Sequence, residues 1–201
     1  MARLVVFEGI DGSGKTSLSR LFLDHLRAQG TKAVWLREPS DSPLGDRIRR
    51  LAQEKESVPP QQELELFVQD RRWDVERNIR PALSAGTTVV MDRYYYSNAC
   101  YQGARGLDMM SILTANREFA PEPDLVLIID VEVERALERI GRGRTTVARL
   151  FEKKEFLEKV RANYLSLQGP NLAKIDGNPD LGPVFASVLD SWRTFLERSR
   201  A

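Results

Sequence analysis

The segment GIDGSGKT at residues 9–16 fits the phosphate-binding pattern G-x-x-x-x-G-K-[ST] at every fixed position. Its glycines let backbone N–H groups wrap a polyphosphate, and a helix that follows adds partial positive charge. Lys15 would reach the terminal phosphates, and the hydroxyl of Thr16 would bind Mg²⁺. The segment therefore predicts a site for a nucleoside triphosphate with its Mg²⁺. Its predicted members are Gly9, Ile10, Asp11, Gly12, Ser13, Gly14, Lys15, Thr16 and Ser17.

The residues on either side of this loop are those that the mechanism needs. A short apolar run of strand type occupies residues 4–7, immediately upstream. Downstream, residues 17–27 carry apolar side chains at helical spacing: Leu18, Leu21, Phe22 and Leu26. A strand, a glycine loop and a helix in this order turn the short pattern into a structural prediction.

Length and composition predict one domain over residues 1–201. A chain of 201 residues with 42% hydrophobic content can bury a full core. Its net charge of +1 gives no field that would favour nucleic acid or a membrane surface. The single cysteine, Cys100, is compatible with a reducing compartment. With no apolar run of transmembrane length and no room for a signal peptide before the first strand, we expect a cytoplasmic protein.

Apolar runs alternate with helical patterns along the whole chain. The predicted strands are 4–7, 32–37, 87–91, 124–131 and 172–175. The predicted helices include 17–27, 43–53, 61–84 with a kink or a new turn at Pro81, and 181–198. Such alternation implies crossover connections. We therefore predict an α/β fold with a five-stranded parallel sheet and helices on both faces.

Two acidic residues at strand ends compete for the role of metal partner. Asp92 follows the run 87–91, and Asp130 ends the run 127–129. Folds with a phosphate loop place an acidic residue on a buried strand beside the first strand. Arg93 favours Asp92, because an arginine there can clamp a second phosphate bidentately. An ion pair between Asp92 and Arg93 at the strand end is the structural alternative.

Several further segments together resemble the bacterial type of thymidylate kinase, within the nucleoside monophosphate kinases. The matching segments are 7–16, 37–39, 45–49, Phe67 with Asp70-Arg71, 92–94, Ser97-Asn98, 101–103 and 123–125. The resemblance covers nearly the whole chain. It implies that the predicted α/β fold is a P-loop fold of the nucleoside monophosphate kinase type, with a short lid. It implies transfer of the γ-phosphate of ATP to dTMP, giving dTDP and ADP, by a homodimer that uses Mg²⁺.

The resemblance also implies an acceptor site. Its residues would be Asp11, Pro39, Arg49, Phe67, Arg71, Arg93, Asn98, Tyr101 and Gln102. In this family arginines matching Arg49 and Arg93 hold the acceptor phosphate. Tyr101 matches the residue that crowds the sugar 2′ position, and Asp11 the one that approaches the 3′-hydroxyl and the metal.

Residue chemistry supports the base-binding part of that set. Phe67 and Arg71 lie four apart on a predicted helix, so they project from one face and could stack a pyrimidine and bind its edge. Asn98 and Gln102 are also four apart and can present amide donors and acceptors to the base. Core packing is the alternative role for Phe67.

Three arginines follow the glycines of the segment 141–150, at Arg142, Arg144 and Arg149. The segment resembles the lid that closes over ATP in these kinases, where such arginines neutralise charge on the transferred group. The family's other subtype carries an arginine in the phosphate loop, whereas this chain has Gly12 and no arginine there. The resemblance therefore implies that the positive charge comes from the lid. A solvated basic loop is the alternative.

Departures from the family pattern leave the acceptor less well defined than the donor. Ser40-Asp41 stands where the family has two glycines, and its carboxylate would repel a phosphate unless Arg47 or Arg49 pairs with it. Ala148 replaces an acidic residue of the lid, and Tyr95-Tyr96 stands where acidic or small residues are common. A kinase for another acceptor such as dUMP, or a nucleotide switch, remain as rival functions.

Overall fold

The structure is a computed structural model that describes residues 1–54, 58–141 and 147–199. Within these ranges, five parallel strands form one sheet in the order β2-β3-β1-β4-β5. The strands are β1 Leu4–Glu8, β2 Ala33–Arg37, β3 Thr88–Asp92, β4 Leu125–Asp130 and β5 Leu172–Asp176. Every predicted strand is confirmed, with ends that agree to within one residue.

Helices cover both faces of the sheet, as predicted. They are α1 Lys15–Ala28, α2 Pro43–Glu54, α3 Pro60–Asp74, α4 Arg80–Ser84, α5 Tyr95–Ala104, α6 Met109–Arg117, α7 Val133–Ile140, α8 Val147–Ser166 and α9 Leu181–Arg198. A π-helical turn, Val75–Ile79, joins α3 to α4. In the described ranges no helix has the length and apolar character needed to cross a membrane.

The central strand β1 explains why the sheet has a core on each side. All five of its residues are buried, and alternate side chains point to opposite faces. Val5 and Phe7 join the core under α1 and α9, while Leu4 and Val6 join the core under α5, α6 and α8. A run that is apolar without alternation is what a parallel strand covered on both faces requires.

The long helical pattern 61–84 proves to be two helices separated by a π-helical turn. Pro81 lies in the first turn of α4. Proline has no N–H to donate and its ring crowds the preceding turn, so a regular helix is interrupted there. Of the two possibilities predicted at Pro81, a kink or a new turn, the structure shows the new turn, because α4 begins at Arg80 after an irregular turn that starts at Val75.

The carboxyl ends of β1, β2 and β3 meet at one edge of the sheet. Phe7 and Arg37 are both registered with Asp92. Three segments therefore come together there: the phosphate loop after β1, residues 38–42 after β2, and the turn after β3. Ligands of open α/β sheets bind at such an edge, where the connections diverge.

Candidate active site

The phosphate loop connects β1 to α1, and α1 begins at Lys15. The amine of Lys15 donates to the carbonyl of Ile10 at 3.2 Å and lies 3.9 Å from the Asp11 carboxylate. Burial, and next the charge of Arg93, lower the pKa of Lys15 to about 8. A bound polyphosphate would stabilise the protonated form of Lys15 and raise its pKa again, because the phosphates carry the opposite charge.

Gly12 cannot carry a side chain in this fold. Its φ is +83°, and a Cβ added there would lie 2.3 Å from the carbonyl oxygen of Ala136 on α7. The missing arginine of the phosphate loop therefore has a steric cause, since the backbone of α7 fills the space that such a side chain would need.

Asp92 meets Thr16 at the end of β3. The hydroxyl of Thr16 donates to Oδ2 of Asp92 at 2.5 Å. The other oxygen, Oδ1, is buried and has no hydrogen-bond partner among the described residues. A hydroxyl beside a carboxylate oxygen with free lone pairs fits a hard cation or its water shell.

Asp130, the competing acid, has a structural partner. Both of its oxygens accept from the guanidinium of Arg161 on α8, at 2.6 and 3.0 Å. Its place at the end of β4 puts it on the other side of β1 from Asp92. The bidentate pair joins β4 to α8, as expected for a residue with a structural role.

Arg93 occupies a strained backbone position in the turn between β3 and α5. Its φ of +70° lies in the left-handed region, which costs a non-glycine residue about 1–3 kcal/mol and is typical of functional sites. Its guanidinium donates to Ser97 at 2.9 Å and forms an ion pair with Asp11. Among the described residues the acid that pairs with Arg93 is therefore Asp11 and not its neighbour Asp92.

The buried carboxylate of Glu8 holds the turn after β3 in place. Glu8 accepts from the backbone N–H groups of Tyr94 and Ser97, at 2.8 and 3.1 Å, and from the hydroxyls of Ser97 and Tyr164, at 2.7 and 2.8 Å. Burial raises the pKa of Glu8, while the bond from Ser97 and the charge of Arg93 oppose the rise. Sequence reasoning gave Glu8 no role, although an acid at the end of a buried strand was a signal.

A cavity of about 630 Å³ opens beside the loop and brings most of the predicted acceptor residues together. Those that line it are Asp11, Pro39, Arg49, Phe67, Arg93, Asn98, Tyr101 and Gln102. Tyr101 joins the cavity to the loop, since its hydroxyl accepts from the N–H of Asp11 at 3.0 Å. The alternative for Phe67, burial in the core, does not describe it, because its ring is half-buried at the cavity wall.

Arg71 is not among the residues that line the cavity. It is 1% exposed and forms an ion pair with Glu38. Its remaining donors reach Asn98 at 2.5 Å and Asn116 at 2.7 Å. The structure therefore places its guanidinium behind the cavity wall, where it contacts the predicted base-binding amide of Asn98.

The departure at Ser40-Asp41 forms an ordered loop. The carboxylate of Asp70 accepts from the N–H and hydroxyl of Ser40, at 2.7 and 2.6 Å, and from the hydroxyl of Ser42, at 2.6 Å. Arg49 donates to the carbonyls of Pro39 and Ser40, both at 2.8 Å. The serines thus tie the segment to α3 and help to hold the acceptor arginine.

The extra carboxylate, Asp41, points to solvent. Its side chain is 83% exposed and lies 3.0 Å from Arg37 and 3.9 Å from Arg49. Pairing with Arg49, one of the two predicted partners, is therefore found. Asp46 lies closer to the same guanidinium, at 2.6 Å. Two carboxylates consequently flank Arg49, the predicted contact of the acceptor phosphate.

Sequence reasoning missed two charged residues of the cavity. Glu63 and Arg105 line it and form an ion pair with each other. Glu63 lies four residues before Phe67 on α3, so helical spacing alone would have placed the two on one face. Arg105, just after α5, lies three residues beyond Gln102.

A second groove, of about 240 Å³, lies on the other side of the phosphate loop. It is lined by Ser13, Gly14 and Ser17 from the loop, together with Arg139, Gly177 and residues 179–181. Arg139 donates to the carbonyl of Gly177 at 3.0 Å. The sequence gave no sign of this groove, because its two walls are far apart in the chain.

The predicted lid is only partly covered by the structure. Arg142 and Arg144 lie outside the described residues. Arg149 belongs to the first turn of α8, and its side chain is not described. The roles assigned to these three arginines stay predictions.

Comparisons with known proteins give a consistent result. The profile of the thymidylate kinase family matches residues 7–188. The chain is 42% identical over 194 residues to the probable thymidylate kinase of Archaeoglobus fulgidus, covering 96% of each chain. It is 42% identical over 195 residues to the thymidylate kinase of Desulfotalea psychrophila, covering 97% of this chain and 96% of the relative. A thymidylate kinase of Brachyspira hyodysenteriae is 38% identical over 189 residues.

Proposed function

This chain belongs to the thymidylate kinase family, and on that premise we propose that it transfers the γ-phosphoryl group of ATP to the 5′-phosphate of dTMP, giving dTDP and ADP. The observation that carries the proposal is the contact between two sites. Asp11 of the phosphate loop and Arg93 both line the acceptor cavity. An acceptor phosphate bound at Arg93 would therefore lie next to the terminal phosphate of ATP.

Catalysis in this arrangement is positioning and charge neutralisation. The acceptor phosphate oxygen is already a nucleophile, so the protein needs no strong base. Lys15 would hold the donor phosphates from the loop side and Arg93 the acceptor phosphate from the turn after β3. Two anions that repel each other would thus be held in line, with the lid arginines as further cations.

Arg93 must exchange partners when the acceptor binds. In the structure its guanidinium is paired with Asp11, whose pKa is lowered chiefly by Arg93 and Lys15 against the effect of burial. A phosphate that takes up Arg93 would leave Asp11 free to meet the 3′-hydroxyl of the sugar, as the family resemblance implies. The ion pair therefore keeps both groups in place before the acceptor arrives.

A Mg²⁺ ion that accompanies ATP would bind at Thr16 and Asp92. The hydroxyl of Thr16 and the unpartnered Oδ1 of Asp92 supply the oxygen donors that this ion prefers. When bound, Mg²⁺ would neutralise charge on the donor phosphates. In the described ranges no three His, Cys, Asp or Glu side chains cluster as a metal site, which agrees with an ion bound mainly through phosphates and water.

The acceptor cavity favours a pyrimidine deoxynucleotide. Phe67 offers a flat ring, and Asn98 and Gln102 offer amides for the base edge. Tyr101 also lines the cavity, and the family resemblance implies that it would crowd the 2′ position of the sugar. Mismatched bases would leave buried polar groups unpaired, which rejects them strongly.

The predicted homodimer and cytoplasmic location also belong to this proposal. On α3 the half-buried apolar residues Leu64, Leu66, Val68 and Trp73 do not share one face. A helix that is apolar on several sides is suited to burial by a partner. Light scattering coupled to gel filtration would give the mass in solution, and a mass of 22.9 kDa would exclude the dimer.

A panel of acceptors tests the function. ADP release would be measured with dTMP, dUMP, dCMP, dGMP and UMP, and we expect the highest kcat/KM for dTMP. One methyl group is worth about 1–3 kcal/mol, so dUMP should be a poorer substrate and purines nearly inert. A purine or ribonucleotide that equals dTMP would move the chain to a broader monophosphate kinase activity.

The Arg93→Ala variant tests the assignment of the acceptor side. Losing a charge-assisted phosphate contact costs about 2–3 kcal/mol, so the KM for dTMP should rise and kcat should fall. Affinity for ATP, measured by isothermal titration, should change far less. Weaker ATP binding with unchanged dTMP binding would assign Arg93 to the donor.

A further inference from the structure

A directed chain of hydrogen bonds runs along the wall of the acceptor cavity. Arg71 donates to Oδ1 of Asn98 at 2.5 Å, and Nδ2 of Asn98 donates to Oε1 of Gln102 at 3.3 Å. Nε2 of Gln102 then donates to the carboxylate of Glu63 at 2.8 Å. We call these four residues the amide relay. It starts at a cation, passes through two amides and ends at an anion.

The two ends give the amide relay its direction. A guanidinium can only donate hydrogen bonds and a carboxylate can only accept them, whereas an amide can be turned over with little change in shape. Turning both amides would set the NH₂ group of Asn98 against Arg71 and the oxygen of Gln102 against Glu63. Since Asn98 and Gln102 are both 2% exposed, water could not relieve these contacts.

Glu63 is held in place by Arg105. The two side chains form an ion pair between the first turn of α3 and the end of α5, and each lines the cavity. A second donor of Arg105 reaches the carbonyl of Val58 at 2.6 Å. The carboxylate is thus fixed at the mouth of the cavity, although neither partner is fully buried.

We propose that Glu63 is a positioning residue that sets which pyrimidine edge the cavity accepts. This rests on the proposed function, in which Asn98 and Gln102 face the base. Within the relay each amide keeps one free lone pair and one free N–H, at places that its orientation determines. The 3-NH, 4-oxo edge of thymine and uracil shows a donor beside an acceptor, whereas cytosine shows an acceptor beside a donor. Fixed amides can match only one of these edges, and Glu63 keeps them fixed.

The test compares two substitutions at Glu63. Glu63→Met keeps the size of the side chain but removes the acceptor that orients Gln102. We expect the ratio of kcat/KM for dTMP to that for dCMP to fall about tenfold or more, with the KM for ATP unchanged. Glu63→Gln still offers a carbonyl oxygen, turned toward Gln102 by Arg105, and should keep most of the selectivity.

Glu65→Met is the matched control, because Glu65 lies on the same helix, is exposed and faces a groove toward α2 instead of the acceptor cavity. It should leave the ratio unchanged. An equal loss for dTMP and dCMP in Glu63→Met would overturn the proposal, since a merely structural role would lower both.

If Glu63→Met does not fold, Arg105→Met removes the cation that holds Glu63. A fall of about threefold in the ratio would then support the proposal, and an unchanged ratio would overturn it.

The Asn98→Ala variant separates this proposal from the proposed function. If Asn98→Ala leaves the KM for dTMP unchanged, the base does not lie against the relay, and the role of Glu63 is overturned while phosphoryl transfer to dTMP stands. If the KM rises in Asn98→Ala while Glu63→Met keeps its selectivity, only the role of Glu63 is overturned.

Discussion

The donor and acceptor sides of this site are built in different ways. The proposed donor side consists of one continuous segment, residues 9–17, whose backbone and Lys15 would do most of the binding. The proposed acceptor side is assembled from side chains of α2, α3, α5, α8 and the segment after β2, which are distant parts of the chain. The donor side therefore depends on local conformation and the acceptor side on tertiary packing.

The buried charges of the donor side and the acceptor side also differ in how they are paired. Lys15 is buried without a close ionic partner, since Asp11 is 3.9 Å away, and this destabilises its charged form in the free protein. On the acceptor side Arg71 and Glu38 are buried together as an ion pair. Substitutions on the donor side should thus reduce activity and keep stability, whereas those in the buried network should reduce both.

The largest effect is expected for Lys15→Ala. Removing a cation that acts on the transferred phosphoryl group should lower kcat about a thousandfold. The fold should persist, because the free protein gains little from this buried charge. A coupled ADP assay and circular dichroism would test both points, with the exposed Lys32→Ala as a control. Activity within threefold of the parent would remove Lys15 from the proposed mechanism.

The substitution Glu38→Gln should be the counterpart on the acceptor side. Breaking a buried ion pair by removing one charge costs about 3–5 kcal/mol, and the retained carbonyl favours the low end. Urea denaturation should show this loss, and the KM for dTMP should rise because Arg71 orients Asn98. The exposed Glu76→Gln serves as a control. Unchanged stability would mean that the pair does not support the acceptor wall.

The pH dependence of ATP capture should follow Lys15. Its pKa is about 8 in the free protein, so kcat/KM for ATP should fall above that pH, about tenfold per pH unit. Bound phosphates raise this pKa, and the fall in kcat should therefore come at higher pH. The unfolded chain, with its ordinary value of 10.5, holds more protons between pH 8 and 10.5, so stability should rise with pH there. Lys15→Arg, if active, should lack the fall.

The smallest effect is expected at the loop that departs from the family. Asp41→Asn removes an exposed carboxylate near Arg49 that competes with the acceptor phosphate. Exposed pairs are worth at most about 1 kcal/mol, so the KM for dTMP should fall about two- to threefold. Asp24→Asn, an exposed substitution on α1, is the matched control. A higher KM would show that Asp41 supports Arg49 instead of competing for it.

The sequence alone determined the parts of the molecule that depend on local chemistry. The phosphate loop follows from its glycines, and the five strands follow from their apolar runs. The run of β1, for example, is buried on both faces of the sheet. The family pattern placed the acceptor residues, of which all except Arg71 line the cavity. Local rules suffice here because hydrogen bonding and burial within a short segment fix its conformation.

Only the tertiary structure decided how the side chains are paired. Asp92 and Asp130 have the same local pattern, and Thr16 on one side of β1 and Arg161 on the other distinguish them. Arg71 and Phe67 share a helix, yet Glu38 draws the arginine behind the cavity wall. The role proposed for Glu63 depends on its hydrogen bond from Gln102, a residue 39 positions away in the chain. Spacing along a helix gives the direction of a side chain, but its partner depends on which elements the folded sheet brings together.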